Sequence, residues 1–244
     1  MDLAGYALLT FVLATLFSMA GAGAGIALIP ILHFLGMPFD AAKATGLFVG
    51  FSTTVTSSLM NWRRGVLRIR RVLPLALTLP IFAPLGAQLS RQVDPQLVKL
   101  LFALFLILSA SMMLFFRKEP KAHVNSPWVM GLLGAGVGLL AGLLGVGGGN
   151  LLMPLLILLG FPPREVAVAV SFVIPFSSLS SFLSYASFVP LDWGILLSCV
   201  AGAVLGGVAG NHLLHVRLSP AQIRRVIAGI LYLLALRLFW SLWG

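Results

Sequence analysis

The chain has 244 residues, of which 59% are hydrophobic and only 9% are charged, and its formal net charge is +10. Soluble domains contain about 25% charged residues, so this composition excludes a soluble globular domain and indicates an integral membrane protein. In a soluble protein such a charge would suggest nucleic acid; here we interpret it as loop charge that faces anionic lipid, and we expect no nucleic-acid partner. The single cysteine, Cys199, excludes an internal disulfide and a cysteine metal cluster.

Ten apolar segments follow one another along the chain, and glycine stretches separate two pairs of them. The segments cover 3–20, 26–36, 41–62, 72–90, 96–116, 128–144, 150–160, 166–188, 192–213 and 221–243. We call residues 21–25 the first tip and residues 145–149 the second tip. An unsatisfied peptide group in lipid costs several kcal/mol, so irregular backbone at that depth is buried in protein or lines a cavity. Two such breaks, one in each half, are typical of a transporter.

The two halves of the chain repeat each other at a constant offset, with Gly145 standing 124 positions after Gly21. The aligned positions are Gly21, Gly23, Gly25, Leu28, Pro30, Leu32, Gly36 and Pro38 with Gly145, Gly147, Gly149, Leu152, Pro154, Leu156, Gly160 and Pro162. A whole half is therefore repeated, rather than a short solenoid unit.

Charge placement indicates how the segments cross the membrane. If each glycine-broken stretch were one span, alternate loops would share the 16 Lys and Arg residues almost evenly. If each tip is the turn of a hairpin that enters and leaves on one side, that division becomes strongly uneven. One face then holds twelve of these residues, and the other holds only Lys43, Arg91, Lys99 and Arg237. Cytoplasmic loops carry the excess of Lys and Arg, so we predict hairpins and place both termini outside.

The predicted fold is an all-α integral membrane protein built from two inverted repeats, each a glycine-tipped helical hairpin followed by three transmembrane helices. The first repeat, 1–116, contains a hairpin at 3–36 and helices at 41–62, 72–90 and 96–116. A cytoplasmic linker, 117–127, leads into the second repeat, 128–244. That repeat contains a hairpin at 128–160 and helices at 166–188, 192–213 and 221–243.

The two tips are the first candidate for a binding site. A helix that starts at a tip offers unpaired N–H groups and about half a positive charge, and glycine lets an anion approach the backbone. Two such starts from opposite sides form an anion cradle without a buried Lys or Arg. The alternative is that glycines permit close helix packing, a role we assign to Gly134, Gly138, Gly142, Gly202, Gly206 and Gly210. We predict substrate binding by Gly23, Gly25, Gly147, Gly148, Gly149 and Asn150.

A duplicated group of hydroxyl side chains is the second candidate. Thr53, Thr54, Thr56 and Ser57 align with Ser177, Ser178, Ser180 and Ser181. Hydroxyl groups donate hydrogen bonds to oxyanions without carrying a fixed charge. Alternatively, they bond to their own helix or join helices together. We predict that Thr53, Thr54, Ser57, Ser177, Ser178 and Ser181 contribute to substrate binding.

The sequence contains no pattern typical of an enzyme. All six acidic residues lie at segment ends, and no Ser-His-Asp or metal-ligand spacing occurs. We therefore expect no catalytic residue, no metal and no cofactor. His33, in the return arm of the first hairpin, is expected to be a hydrogen-bonded residue near a helix end, with proton carriage as the alternative.

These residues resemble the TauE/SafE family of sulfite and organosulfonate permeases. The resemblance rests on the blocks from Gly21 to Pro38 and from Gly145 to Pro162, each with its downstream Thr/Ser helix, and it extends over essentially the full chain. The first block departs from the pattern, with Ala24 and Ile26 where the second has Gly148 and Asn150. The resemblance implies transport of a small sulfur-containing anion such as sulfite or a sulfonate, often by export.

The predicted function is a multi-pass permease of the bacterial inner membrane that exports such an anion by alternating access around a midplane site. The alternatives are a transporter of another small organic anion and a non-transporting membrane assembly protein. The expected partners are the small anionic substrate and the lipid bilayer, and the sequence is compatible with a homodimer.

Overall fold

A computed structural model of the chain describes residues 2–19, 23–63, 69–115, 126–161, 163–213 and 220–242. Its helices are α1 (Leu3–Met19), α2 (Gly25–Phe34), α3 (Phe39–Arg63), α4 (Ile69–Leu89), α5 (Pro95–Phe115), α6 (Pro127–Leu144), α7 (Gly149–Leu158), α8 (Pro163–Ala186), α9 (Trp193–Leu213) and α10 (Pro220–Trp240). The prediction of an all-α protein is confirmed, and strands are missing from the described ranges.

The outer surface of the helix bundle is apolar, as a lipid-facing surface must be. Large side chains such as Leu77, Ile81, Leu205 and Leu233 are more than half exposed. A soluble protein does not present a continuous apolar surface of this kind. Within the part of the chain that the structure describes, four helices are long and apolar enough to cross a bilayer on length and composition alone: Pro95–Phe115, Pro127–Leu144, Glu165–Ala186 and Trp193–Gly210.

Backbone contacts at glycine join helices of different halves. A Cβ added at Gly138 would lie 2.7 Å from the Leu79 carbonyl oxygen, and one at Gly142 would collide with the Ala83 carbonyl oxygen, so α6 packs directly on α4. In the same way α9 packs on α1, where Gly202 and Gly206 face the carbonyl oxygens of Ala7 and Phe11. The packing role predicted for the two glycine runs is confirmed, since only glycine lets the backbones approach this closely.

Helices α3 and α8, which occupy equivalent places in the two halves, run antiparallel through the centre of the molecule. Near one end Lys43 Nζ lies 3.3 Å from Tyr185 OH, and near the other Asn61 Nδ2 donates to Ser171 Oγ at 2.9 Å. The start of α3 thus meets the end of α8, and the end of α3 meets the beginning of α8.

The two tips predicted from the sequence each lie between two helices, α1 and α2 in the first half and α6 and α7 in the second. In the second half α6 ends at Leu144, the next residue Gly145 has a φ of +73°, and α7 begins at Gly149. The return helices also end alike in both halves, because Gly36 and Gly160 each have a φ of +96°. Both glycines belong to turns that bond the following N–H to a carbonyl oxygen of the last helical turn, Met37 to Leu32 and Phe161 to Leu156, each at 3.1 Å.

Candidate substrate site between the two tips

A cavity of about 30 Å³ lies where the two tips meet the middle of α3 and α8. The first half contributes Gly23 and Gly25 from its tip, with Ile26, Gly46, Leu47, Gly50 and Thr54; the second contributes Gly147 and Gly149 from its tip, with Val146, Met153, Val170, Ile174 and Ser178. A single water takes up about 10–15 Å³ of such a space, so the cavity fits a small ion and excludes a lipid or a nucleotide.

The second tip holds its shape through left-handed glycines and one hydroxyl group. Gly147 and Gly148 have φ values of +69° and +79°, a region that residues with a Cβ rarely adopt. Ser177 Oγ donates to the Gly147 carbonyl oxygen at 2.9 Å, which ties the tip to α8. Ser177 therefore orients the backbone of the tip.

The helices that start at the tips present backbone N–H groups at the cavity. The residue before α2 is Ala24 and the residue before α7 is Gly148, and neither makes a side-chain cap hydrogen bond. The first N–H groups of a helix have no partner within the helix, and the helix dipole adds a partial positive charge there. Two ten-residue helices thus direct uncapped starts toward one small space, an arrangement that attracts an anion.

Ser178 is the buried polar side chain of the cavity lining whose hydroxyl group is available to a ligand. Its side chain is 1% exposed, it lines the cavity, and its Oγ has no hydrogen-bond partner. A Cβ added at Gly147 would fall against this oxygen, so Ser178 Oγ lies directly beside the second tip. Buried hydroxyl groups are nearly always hydrogen-bonded, so one without a protein partner beside a cavity can donate to a molecule bound there.

The hydroxyl groups of Thr53 and Thr54, predicted to bind substrate, bond to carbonyl oxygens of their own helix, α3. Thr53 Oγ1 lies 3.0 Å from the Val49 carbonyl oxygen, and Thr54 Oγ1 lies 2.6 Å from that of Gly50. This is the back-bonding common for Ser and Thr in membrane helices. Thr54 lines the cavity but its proton points to the backbone, so the hydroxyl groups of the two halves are not equivalent.

Of the residues predicted to bind substrate, the structure brings six to one place. Gly23, Gly25, Thr54, Gly147, Gly149 and Ser178 line the cavity. Gly148 points away from it, because a Cβ there would meet Leu79 and Ala141. Thr53, Ser177 and Ser181 are outside the lining, although Ser181 Oγ is also buried without a partner. The side chains of Ser57 and Asn150 lie outside the described residues. His33 is hydrogen-bonded at the end of α2, as expected, with Nδ1 3.0 Å from the Met37 carbonyl oxygen.

Lys43 is a buried residue that the sequence patterns did not predict, because it was counted among the loop charges. Lys43 is 1% exposed and lies in α3, 2.7 Å from Asp40 Oδ1. The available signal was its position inside the apolar segment 41–62, because an ionisable residue within a membrane helix is expensive and calls for a partner. Asp40, three residues earlier on the same helix, is the partner that this spacing would have predicted.

The chain is similar in sequence to known membrane transporter proteins. The model of the family described as "Sulfite exporter TauE/SafE" matches residues 6–238. The probable membrane transporter protein YunE of Bacillus subtilis is 30% identical over 225 residues, which is 80% of this chain and 82% of that protein. A probable membrane transporter protein of Methanocaldococcus jannaschii is 30% identical over 194 residues, covering 72% and 69% of the two chains. A probable membrane transporter protein of Xylella fastidiosa is 28% identical over 237 residues, covering 93% and 90%.

Proposed function

The chain belongs to the sulfite exporter TauE/SafE family and is a multi-pass membrane transporter, and from this premise we propose that it exports a small sulfur-containing anion through the cavity between its two tips. The observation that carries the proposal is Ser178 Oγ, a buried hydroxyl group without a partner beside two uncapped helix starts. Together they supply hydrogen-bond donors and partial positive charge. This suits a monoanion or dianion with several oxygens, such as sulfite or a sulfonate.

The absence of a fixed cation from the cavity lining suits release as well as binding. The described lining contains glycines, apolar side chains and two hydroxyl groups, without Lys, Arg or His. Backbone dipoles and hydroxyl groups bind an oxyanion less tightly than a buried cation would, so the anion leaves when the path opens.

We further propose that the two halves are inverted repeats that work by alternating access. Equivalent helices of parallel repeats run parallel, so the antiparallel course of α3 and α8 supports inversion. The packing of α1 on α9 recurs between α6 and α4, as a two-fold relation between the halves requires. Trp62 and Trp128 are exposed at helix ends on the proposed cytoplasmic face, and Trp193 and Trp240 on the proposed outer face, consistent with two aromatic belts.

The test is anion binding to purified protein. Sulfite, thiosulfate, a sulfonate and a small carboxylate are compared by calorimetry on the wild type, Ser178→Ala and Ser198→Ala. Removing a donor to a charged ligand costs about 1.5–3 kcal/mol, so Ser178→Ala weakens binding of the preferred anion about 10- to 150-fold.

Ser198 is the matched control, because its Oγ donates to the Gly194 carbonyl oxygen in α9, away from the cavity. Its replacement leaves the affinity unchanged. Equal affinity of all three proteins would reject the cavity as the site, and tightest binding of the carboxylate would reject a sulfur-containing substrate.

A further inference from the structure

A cluster of four polar side chains, three of them buried, lies about one helical turn from the cavity. Lys43 Nζ contacts Asp40 Oδ1 at 2.7 Å, Ser90 Oγ at 2.7 Å and Tyr185 OH at 3.3 Å. An ammonium group has three donors, and here each has an acceptor. We call Asp40, Lys43, Ser90 and Tyr185 the Lys43 cluster.

The Lys43 cluster joins the two halves at the second tip. Asp40 and Lys43 belong to α3 and Ser90 follows α4, whereas Tyr185 lies near the end of α8 in the other half. The Tyr185 hydroxyl group also donates to the carbonyl oxygens of Gly142, at 2.9 Å, and Leu143, at 3.1 Å, in the last turn of α6. A Cβ added at Gly145 would fall 2.5 Å from Lys43 Cβ, so the lysine stem packs on the tip itself.

Packed side chains close the space between the Lys43 cluster and the cavity. Lys43 precedes the cavity residue Gly46 by three positions, which is about 5 Å along a helix. Every residue from 41 to 47 is buried. Leu47 lines the cavity and belongs to a buried apolar group with Phe182 and Tyr185, so packed side chains lie between the cavity and the Lys43 cluster.

At the opposite end of the α3–α8 pair, Asn61 and Ser171 join the two helices by a hydrogen bond, with both groups partly buried. From 50 to 63, none of the side chains that the structure describes is buried. Among the described residues, α3 is thus fully buried from 41 to 47, beside the Lys43 cluster, and only partly buried from 50 onward.

We propose that the Lys43 cluster is the gate that closes the substrate path at this end, and that it must separate for the path to open there. The proposal rests on the proposed transport function and adds the residues that control access to the cavity from this end. A polar gate suits this task, because Lys43 gains water when it leaves Ser90 and Tyr185, which offsets the hydrogen bonds it loses, while its ion pair with Asp40 on the same helix persists.

The gate is tested by cysteine labelling, which needs no substrate. Gly50→Cys in a Cys199→Ser background places one thiol in the cavity wall, where a Cβ meets only Ser178 Oγ, at 3.9 Å. A membrane-impermeant thiol reagent is applied to proteoliposomes from each side in turn. Lys43→Met keeps the length of the side chain and removes the charge, and labelling from the Lys43 side accelerates about 10-fold or more.

Two further variants make the result specific. Tyr185→Phe removes one oxygen and leaves the Lys43–Asp40 pair, so labelling accelerates less than in Lys43→Met in a protein that stays folded. Lys99→Met is the control: its ammonium lies 5.8 Å from the centre of the Phe39 ring at the same end of the molecule but outside the Lys43 cluster, and labelling does not change.

Unchanged labelling in both Lys43→Met and Tyr185→Phe, or acceleration from the opposite side, overturns the gate. Because the experiment measures access to a thiol, it tests the proposed gate independently of which anion binds. Faster labelling in a protein that binds no sulfur-containing anion would reject the proposed substrate and leave the gate intact.

Discussion

At Gly147 the backbone of the second tip lies directly beside the Ser178 hydroxyl group that we propose binds the anion. A Cβ at this position would fall against Ser178 Oγ, and the φ of +69° would strain any residue that carries one. We therefore expect Gly147→Ala to reduce anion affinity at least as much as Ser178→Ala, since the methyl group occupies the place beside the free hydroxyl group. Calorimetry with the preferred anion measures the loss.

Gly36 separates this blocking effect from backbone strain. Its φ is +96° and a Cβ there would have nothing within 4 Å, so Gly36→Ala introduces strain of about 1–2 kcal/mol without touching the cavity. Gly36→Ala keeps wild-type affinity while losing stability. If both variants bound the anion equally well, the second tip would have no part in binding.

The sequence located the glycines of the site better than its hydroxyl groups. Three neighbouring glycines with a matching block in the other half indicate a break in the helix with left-handed backbone, and this follows without knowledge of the surrounding residues. Whether a hydroxyl group is free depends on its rotamer and neighbours: Thr54 bonds to its own helix, Ser177 bonds to Gly147, and Ser178 is left without a partner. Periodicity places all three on helices and cannot distinguish these fates.

Among the helices, the contact of α4 with α6 depends on the absence of a side chain. A Cβ at Gly142 would collide with the Ala83 carbonyl oxygen, so Gly142→Ala forces the two backbones apart. We expect a loss of about 1–3 kcal/mol of stability, the usual result of overpacking, seen as a lower thermal unfolding midpoint in detergent.

Gly136 is the matched control on the same helix, because a Cβ there meets nothing within 4 Å. Gly136→Ala leaves the midpoint unchanged or raises it, since alanine favours helix more than glycine does. An equal midpoint for the two variants would mean that α4 and α6 do not pack through their backbones.

Helix breaks were predictable where glycine and proline mark them, and helix neighbours were not. The turn at Gly160 follows from the local sequence, as does the turn at Gly36. The pairing of α1 with α9 needs three-dimensional information, because a glycine run shows that a helix has a close neighbour without showing which one. The contacts of Lys43 with Ser90 and Tyr185 were not predictable for the same reason, since these two partners come from distant stretches of the chain.

For the molecule as a whole, the proposed topology places corresponding loops of the two halves on fixed sides. Single cysteines at Lys118 and Arg217 are labelled from the cytoplasm, and those at Arg91 and Asp192 from outside, in a Cys199→Ser background. The hairpin arrangement puts both members of each pair on one side. Eight plain spans would separate the members of each pair, so opposite labelling of Lys118 and Arg217 would reject inverted repeats.

The helix contacts between the two halves limit the ways in which such a chain can have evolved. The backbone contacts of α1 with α9 and of α4 with α6 each join a helix from one half to a helix from the other. A half-length chain alone would leave those glycine faces uncovered in the bilayer. If the halves are inverted as proposed, an ancestor of half this length was stable only as a pair of copies inserted in opposite orientations. Fusion of two such copies would fix one in each orientation and leave each tip free to change independently, and the tips do differ, with Ala24 in one and Gly148 in the other.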